Sequence, residues 1–477
     1  MHYDIAIIGS GVTGSMIARE LARYNLSIVV LEKEADVSMG SSKANSGIVH
    51  AGYDAKPGSL KAQLNVLGCR LMPQVAKELG VAYQQNGSLV VAFSEDEMSA
   101  VHELYTRGKL NGVEHLSILN REELRQIEPY IHPNAVGALY APDAGIICPY
   151  NLTIAAIGNA MDNGVALRRN FPVTDLFDRS SHFEIISAGE SLTASFVINA
   201  AGLFADEIAS MVGDHFFEIH PRRGEYYLLD HDMAHFARQT IFQAPTAMGK
   251  GILVTPTAHG NLMVGPTAED IEDKHDKSTT RSGLDKVWQD AAKSIPNLPG
   301  SGIITAFTGL RAVGNTGDFV IRQSPQHPRL VHVAAIESPG LASSPAIALY
   351  VADLLRQIGA LTEKRRDFDP YRRPIPELRH MKDEERRSYI EKNPAYGKII
   401  CRCEEISEGE ILDAIRSNPG AVDVDGIKRR TRGGMGRCQG GFCLPYVTEI
   451  LSRELGIPME QVSKKGPGSE ILVGKTK

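Results

Sequence analysis

The sequence predicts an α/β fold, on three observations. A short apolar run, Ile5–Ile8, leads into Gly9, Gly11 and Gly14 at G-x-G-x-x-G spacing. Ile17, Leu21 and Ala22 follow at helical spacing, and a second apolar run, Leu26–Leu31, closes on an acid, Glu32. Buried-strand runs recur far downstream at Phe196–Gly202 and Val331–Ile336. Strand, glycine turn, helix and acid-terminated strand make a βαβ unit that binds a dinucleotide. A Rossmann-like domain is therefore expected at the start of the chain.

Each residue of that unit has a task. Gly9 permits the tight turn. Gly11, with Val12 and Thr13 after it, lets the backbone approach a pyrophosphate at the helix N-terminus, and Gly14 lets helix and strand pack closely. Glu32, with Lys33 beside it, can accept from a ribose hydroxyl, which argues against a 2′-phosphate there.

The stretch Ser41–Gly52 is small and polar, a poor core former but suited to a loop pressed against a ligand. Gly87–Phe93 reads as a strand, and Glu122–Glu128 as a helix ending before Pro129. Gly145–Asn151 reads as a second loop, followed by helical periodicity over Leu152–Asn163. Arg222–Asp230, Gly251–Pro256 and Asn261–Pro266 alternate and turn like an antiparallel sheet, separate from the parallel strands. Glu269–Pro299 is charged and partly helical. After Val331–Ile336, Ser344 is placed as N-cap and Pro345 as first residue of a helix running to about Leu355.

At 477 residues the chain exceeds one compact core. The expected division is an oxidoreductase part over 1–362, a linker over 363–398 and a small domain over 399–477. Nucleotide-binding pieces are placed at about 1–75, 145–205 and 305–362, with sheet pieces at about 76–144 and 206–304. The linker is inferred from dense charge and four prolines between Lys364 and Lys398. A net charge of −6 gives no reason to expect nucleic acid or an anionic membrane as partner. The first strand begins almost at once, leaving no room for a signal peptide, and no apolar run is long enough to span a bilayer. Cytoplasm is the default expectation, with peripheral membrane contact open.

Of six cysteines, Cys69 and Cys148 are isolated and read as structural. Cys401, Cys403, Cys438 and Cys443 cluster as Cys-x-Cys and Cys-x4-Cys. In a reducing compartment such a set suggests metal before disulfides. Four-cysteine zinc sites favour Cys-x2-Cys pairs, which neither spacing matches. A domain this small gains from a metal staple. Ser407 and Glu410 form a capping box that starts one helix, and Cys443 opens another, whose N-terminal dipole favours thiolate.

The fingerprint alone does not separate FAD from NAD. Its place at the start of the chain, the Ser41–Gly52 loop after it, and the recurring strand ends Asn199–Gly202 and Ser338–Gly340 favour an extended FAD. Residues 1–360 resemble the D-amino-acid-oxidase-like flavoproteins. Ser42–Gly52 with Lys56–Lys61 resembles two groups within them, the FAD-dependent glycerol-3-phosphate oxidases and dehydrogenases and the L-2-hydroxyglutarate dehydrogenases. Pro221–Tyr227 and Gly251–Pro266 are more similar to the glycerol-3-phosphate group. Residues 399–477 resemble the bacterioferritin-associated ferredoxin module, through Cys401–Glu404, Arg429–Arg432 and Gly436–Cys443. That module closes with Cys-x2-Cys, so the Cys-x4-Cys here is a departure.

The resemblance implies a fold, two cofactors and a reaction. The fold is a Rossmann-like FAD-binding domain with an inserted antiparallel-sheet substrate domain and a C-terminal iron–sulfur domain. The cofactors are FAD and a 2Fe–2S cluster held by the four clustered cysteines. Ser41, Ser42, Ser46, Gly47, Val173, Ala201, Gly202, Gly340, Leu341 and Ala342 join the fingerprint residues as FAD contacts. The helix after Gly340 would aim its N-terminus at the flavin N1/C2=O edge.

His50 has a side chain easily poised near neutral pH, although its residue type and loop alone allow a histidine merely bonded to backbone. The resemblance makes it the base. Glu225 could orient His50 or sit on an outward strand face. Arg311, permanently charged and bidentate, suits an acidic substrate group, with Lys250 and Ser338 as lesser candidates. The implied activity is oxidation of sn-glycerol 3-phosphate, with a 2-hydroxy acid or an amine as alternative substrate. A non-catalytic electron-transfer subunit is the reading from another class. Electrons would leave to an acceptor protein or quinone, and a second flavoprotein subunit is one candidate.

Overall fold

The structure is a computed structural model that describes residues 1–245 and 251–474. Two large sheets share the first 360 residues. The eight-stranded sheet carries the parallel strands His2–Ile8, Ile28–Leu31, Ala166–Arg168, Glu190–Asn199 and Leu330–Ala334. The first strand sits between the second and Glu190–Asn199, with Ile8 level with Leu31 on one side and Asn199 on the other. Their carboxyl ends therefore meet at one edge, where α/β sheets bind ligands. Helices Val12–Leu21, Leu60–Leu79, Pro149–Asp162 and Gly340–Gln357 cover one face with a core of Ile5, Ile7, Ile17, Met72, Ile157 and Val351.

The nine-stranded sheet is mainly antiparallel. Ile219–Leu229 pairs with Leu262–Gly265, which pairs with Leu253–Pro256. These three answer the alternating pattern of the sequence. Ser88–Ala92 and Arg121–Ile127 fall within a residue or two of the expected strand and helix. Ile303–Gly314 pairs with Ile219–Leu229 along nearly its whole length. Residues 305–314 thus lie in this sheet and not with the nucleotide-binding pieces, where the sequence places 305–362.

Three other expectations change. Gly145–Ile147 is a strand, paired with Ile48–Val49 and Tyr83–Gln84, and the next helix begins at Pro149, not Leu152. The late helix begins at Gly340, five residues before Pro345. Proline cannot donate to Leu341, four residues back, but the Ser344 hydroxyl does so in its place at 2.8 Å. The stretch 363–398 contains a helix, Asp383–Lys392, and its earlier part is fastened to the nucleotide-binding helices. Arg372 N–H donates to the Glu78 carbonyl, and Asn159 donates to the Asp369 carbonyl.

The C-terminal module has a two-stranded ribbon, Ile399–Cys401 with Ile406–Ser407, and helices Glu408–Arg416, Val424–Thr431 and Leu444–Leu455. Ile400, Ile411, Ile427, Val447 and Leu451 form its core. The Ser407–Glu410 capping box is present.

Candidate functional site

A cavity of about 1030 Å³ lies at the carboxyl edge of the parallel strands, bounded on its far side by the antiparallel sheet. At one end the glycine turn forms its wall. Gly9 has a φ of +103°, and a Cβ there would press into the Ala200 carbonyl at 2.5 Å, so only glycine fits. Gly14 packs directly beneath Gly9, leaving no room for a side chain. The Ser42 hydroxyl accepts from the Val12 N–H at 2.8 Å, tying the following loop to the helix start.

Glu32 stands where the second strand ends. Its carboxylate accepts from the N–H groups of Ser10 at 2.8 Å and Glu34 at 3.0 Å. Burial pushes its carboxyl up to about 7. Lys33, Ser41, Ser46, Val173, Ala201 and Gly202 also line the cavity.

At the other end, His50, Arg311 and Ser338 line the same cavity. His50 follows the strand Ile48–Val49, and its carbonyl is fixed by the Asn65 amide at 2.7 Å. Its ring lies 5.6 Å from that of Phe242. Arg311 is level with Arg222 on the adjacent strand. Arg222 grips Asp270 with two nitrogens, and Lys61 reaches Glu337 at 2.6 Å. Arg311 instead donates to the Thr267 carbonyl at 3.2 Å and to the Tyr226 hydroxyl, and makes no ion pair among the described residues. A guanidinium left without a carboxylate in a cavity is arranged for an incoming anion. Tyr226 also hydrogen-bonds Ser46, stacks on Phe307 at 4.7 Å, and has its hydroxyl pKa raised by burial.

Some expected contacts lie elsewhere. Glu225 does not reach the cavity: its carboxylate is fully buried and accepts from the N–H and, at 3.1 Å, the hydroxyl of Thr280. It fastens the strand to the cap of helix Arg281–Ala291. Gly47 packs on the Ile147 carbonyl, and Ala342 presents its carbonyl to Gly68 of a neighbouring helix. Gly14, Gly47 and Ala342 therefore support the wall, while Gly340 and Leu341 form it. Lys250 lies outside the described residues. Tyr226, Phe242, Lys61 and Lys277 line the cavity and were not singled out from sequence. Strand alternation links the two: with Glu225 turned to the start of helix Arg281–Ala291, Tyr226 beside it must face the cavity.

The four C-terminal cysteines line a second, smaller cavity of about 200 Å³, with Arg402 and Phe442. The sulfurs meet in pairs: Cys403 and Cys438 are 3.5 Å apart, and Cys443 hydrogen-bonds Cys401. That bond, with the N–H groups of Gly434 and Glu404, lowers the Cys401 pKa, while the same bond and burial raise that of Cys443. Two pairs of thiols around one cavity suit a binuclear cluster, which takes two thiolates on each iron. Cys443 occupies the N-cap position of helix Leu444–Leu455, as the sequence predicts, although its side chain makes no capping hydrogen bond. Cys69 and Cys148 are buried and line neither cavity.

Both parts of the chain match known protein families. Residues 4–354 match the model of the FAD dependent oxidoreductase family, DAO, and residues 399–453 match that of the BFD-like 2Fe-2S binding domain. A glycerol 3-phosphate dehydrogenase of Caloramator mitchellensis is 48% identical over 475 residues, covering 100% of this chain and 99% of its own. A glycerol 3-phosphate oxidase of Mycoplasma genitalium is 33% identical, covering 74% of this chain and 94% of its own. Among solved structures, dithionite-reduced L-alpha-glycerophosphate oxidase of Mycoplasma pneumoniae, with FAD bound, superposes with a TM-score of 0.73 at 30% identity, covering 78% of this chain and 98% of its own. FAD and a 2Fe–2S cluster are the cofactors these matches carry, the long cavity lying within the first matched stretch and the four cysteines within the second. The chain belongs to the DAO family of FAD-dependent oxidoreductases and carries a BFD-like 2Fe–2S domain behind the flavin-binding part.

Proposed function

We propose that the chain oxidises sn-glycerol 3-phosphate at C2 to dihydroxyacetone phosphate and passes the electrons through its cluster to an acceptor protein or quinone. One observation carries this reading. The similarity to a glycerol 3-phosphate dehydrogenase runs over the whole chain, so it includes both the flavin cavity and the cysteine module.

Bound FAD supplies the hydride acceptor, and the cluster supplies one-electron steps. The protein's own residues do the rest. Arg311, without an ion-pair partner among the described residues, takes the phosphate, and Tyr226 holds the guanidinium in place. A ring nitrogen of His50 takes the C2 hydroxyl proton, so that carbon can release hydride without forming a cationic intermediate. The Asn65 bond to its carbonyl keeps the His50 backbone from drifting. Ser338, exposed at the cavity wall, offers a hydroxyl donor, and Lys250 adds a second cation.

Anaerobic mixing with glycerol 3-phosphate tests this directly and should bleach the flavin band. Bleaching by L-2-hydroxyglutarate but not by glycerol 3-phosphate would refute the substrate. His50→Asn should slow bleaching by about 10²–10⁴-fold without loss of FAD, and an unchanged rate would remove the histidine from the chemistry.

A further inference from the structure

The cysteine module is joined to the flavin-binding part by more than its linker. Asp36 lies in the segment between Glu32 and Ser41, both of which line the FAD cavity. Its side chain is completely buried. Arg430 grips it with two nitrogens, Nη1 to Oδ2 at 2.7 Å and Nη2 to Oδ1 at 2.8 Å. Arg429 Nη2 reaches Oδ2 at 2.5 Å. Both arginines sit on helix Val424–Thr431 of the module. Arg169 stands 3.7 Å from Asp36, and Asp423 stands 3.8 Å from Arg429. Three guanidinium groups thus surround two carboxylates, and Asp36 is held far below its ordinary pKa by Arg430 and Arg429 in spite of its burial.

The same seam continues to the cluster ligands. Glu404, next to Cys403, is buried and accepts from Arg432 at 2.8 Å and Arg379 at 3.0 Å. Arg432 also donates to Asn261, in the antiparallel sheet part, at 2.8 Å. The Tyr150 hydroxyl, on the first turn of helix Pro149–Asp162, meets the Met435 sulfur at 3.5 Å, three residues before Cys438.

A surface ion pair contributes little, but a buried carboxylate with a two-point arginine grip leaves an uncompensated charge when either side is removed. A module tethered only by its linker would not need one.

We propose that Asp36 is the anchor that docks the cluster module against the FAD-binding loop, so that the module works as a fixed relay and not as a swinging carrier. This rests on the reading above that electrons pass from flavin to cluster. Each substrate delivers two electrons as one hydride. The cluster passes them on singly, so two one-electron oxidant equivalents are consumed per turnover, with ferricyanide as the laboratory oxidant. Asp36 is a positioning residue, and it touches neither the substrate nor a cluster ligand.

The test uses the full chain carrying FAD and cluster. In Asp36→Asn, protease cleavage within residues 364–398 should speed up by about tenfold or more. Anaerobic flavin reduction by glycerol 3-phosphate should stay within about twofold, while reduction of the cluster, followed by its own absorbance and paramagnetic signal, should slow by about tenfold or more. Asp36→Glu should restore part of both. Arg430→Lys keeps the charge but loses the two-point grip, and gives an intermediate result even if the asparagine variant does not fold. Cleavage and cluster reduction at unaltered rates in a folded variant would overturn the anchor. If glycerol 3-phosphate bleaches the flavin of the unmodified protein but never reduces its cluster, the electron-transfer reading falls, and the cleavage rates still decide whether Asp36 docks the module.

Discussion

Glu225 and Tyr226 are neighbours with opposite surroundings. On the strand Ile219–Leu229, Arg222 and Tyr226 face the cavity, while Glu225 faces the helix behind. Both are polar and both lie in the Gly-Glu-Tyr-Tyr run, so residue type did not distinguish them; strand parity does. Tyr226→Phe should raise KM for the anionic substrate by about 5–20-fold with little loss of FAD, because a bond to Arg311 worth about 1–2 kcal/mol is removed. Arg311→Lys should cost more, about 10²-fold in kcat/KM, since one ammonium does not reproduce the guanidinium fork. Steady-state kinetics checks both. Glu32 gives a pH signature. Its carboxyl is raised above the ordinary 4.5 to about 7. The folded apoprotein therefore holds that proton more tightly than the unfolded chain, and its contribution to apoprotein stability falls as pH rises from 4.5 through 7. A ribose hydroxyl donating to Glu32 favours the charged form. FAD affinity of the apoprotein should thus climb with pH up to about 7 and level off above it, as fluorescence titration would record.

At the scale of elements, the parallel strands and the first helix were legible because apolar runs and glycine spacing report on a sheet buried on both faces. Helix starts were less so. Pro345 marks a helix start by its chemistry, yet the helix begins at Gly340, because the Ser344 hydroxyl supplies the donor that proline lacks. Ser344→Ala should therefore destabilise the protein by about 1–2 kcal/mol in denaturant titration. The first part of the loop read at Gly145–Asn151, Gly145–Ile147, is a strand because Ile48–Val49 offers it a partner nearly a hundred residues away, which no local pattern reveals. Helices Leu60–Leu79 and Gly340–Gln357 meet at Gly68, where an added Cβ would overlap the Ala342 carbonyl. Gly68→Ala must push apart the helix whose first turn lines the FAD cavity. It should weaken FAD binding and lower stability by about 1–3 kcal/mol, measurable by FAD release on thermal unfolding.

For the whole molecule, the sequence separated the flavin-binding part from the cysteine module but not the manner of their joining. Arg429, Arg430 and Arg432 were legible as a family motif, whereas their partners Asp36 and Asn261 lie far away in sequence and carry no local signal. Cys403→Ser should remove iron from the purified protein while leaving flavin bleaching by substrate intact, since the FAD cavity shares no wall with the cluster cavity. Iron analysis and anaerobic titration check this. Among the described residues no helix is long and apolar enough to cross a membrane. The seam of the module has a mechanical consequence. It grips the parallel sheet's loop at Asp36 and the antiparallel sheet's turns at Asp230 and Asn261, through Arg430, Arg437 and Arg432. Rocking of one sheet against the other would break all three contacts at once, so the module doubles as a strap that holds the two sheets in one relative setting.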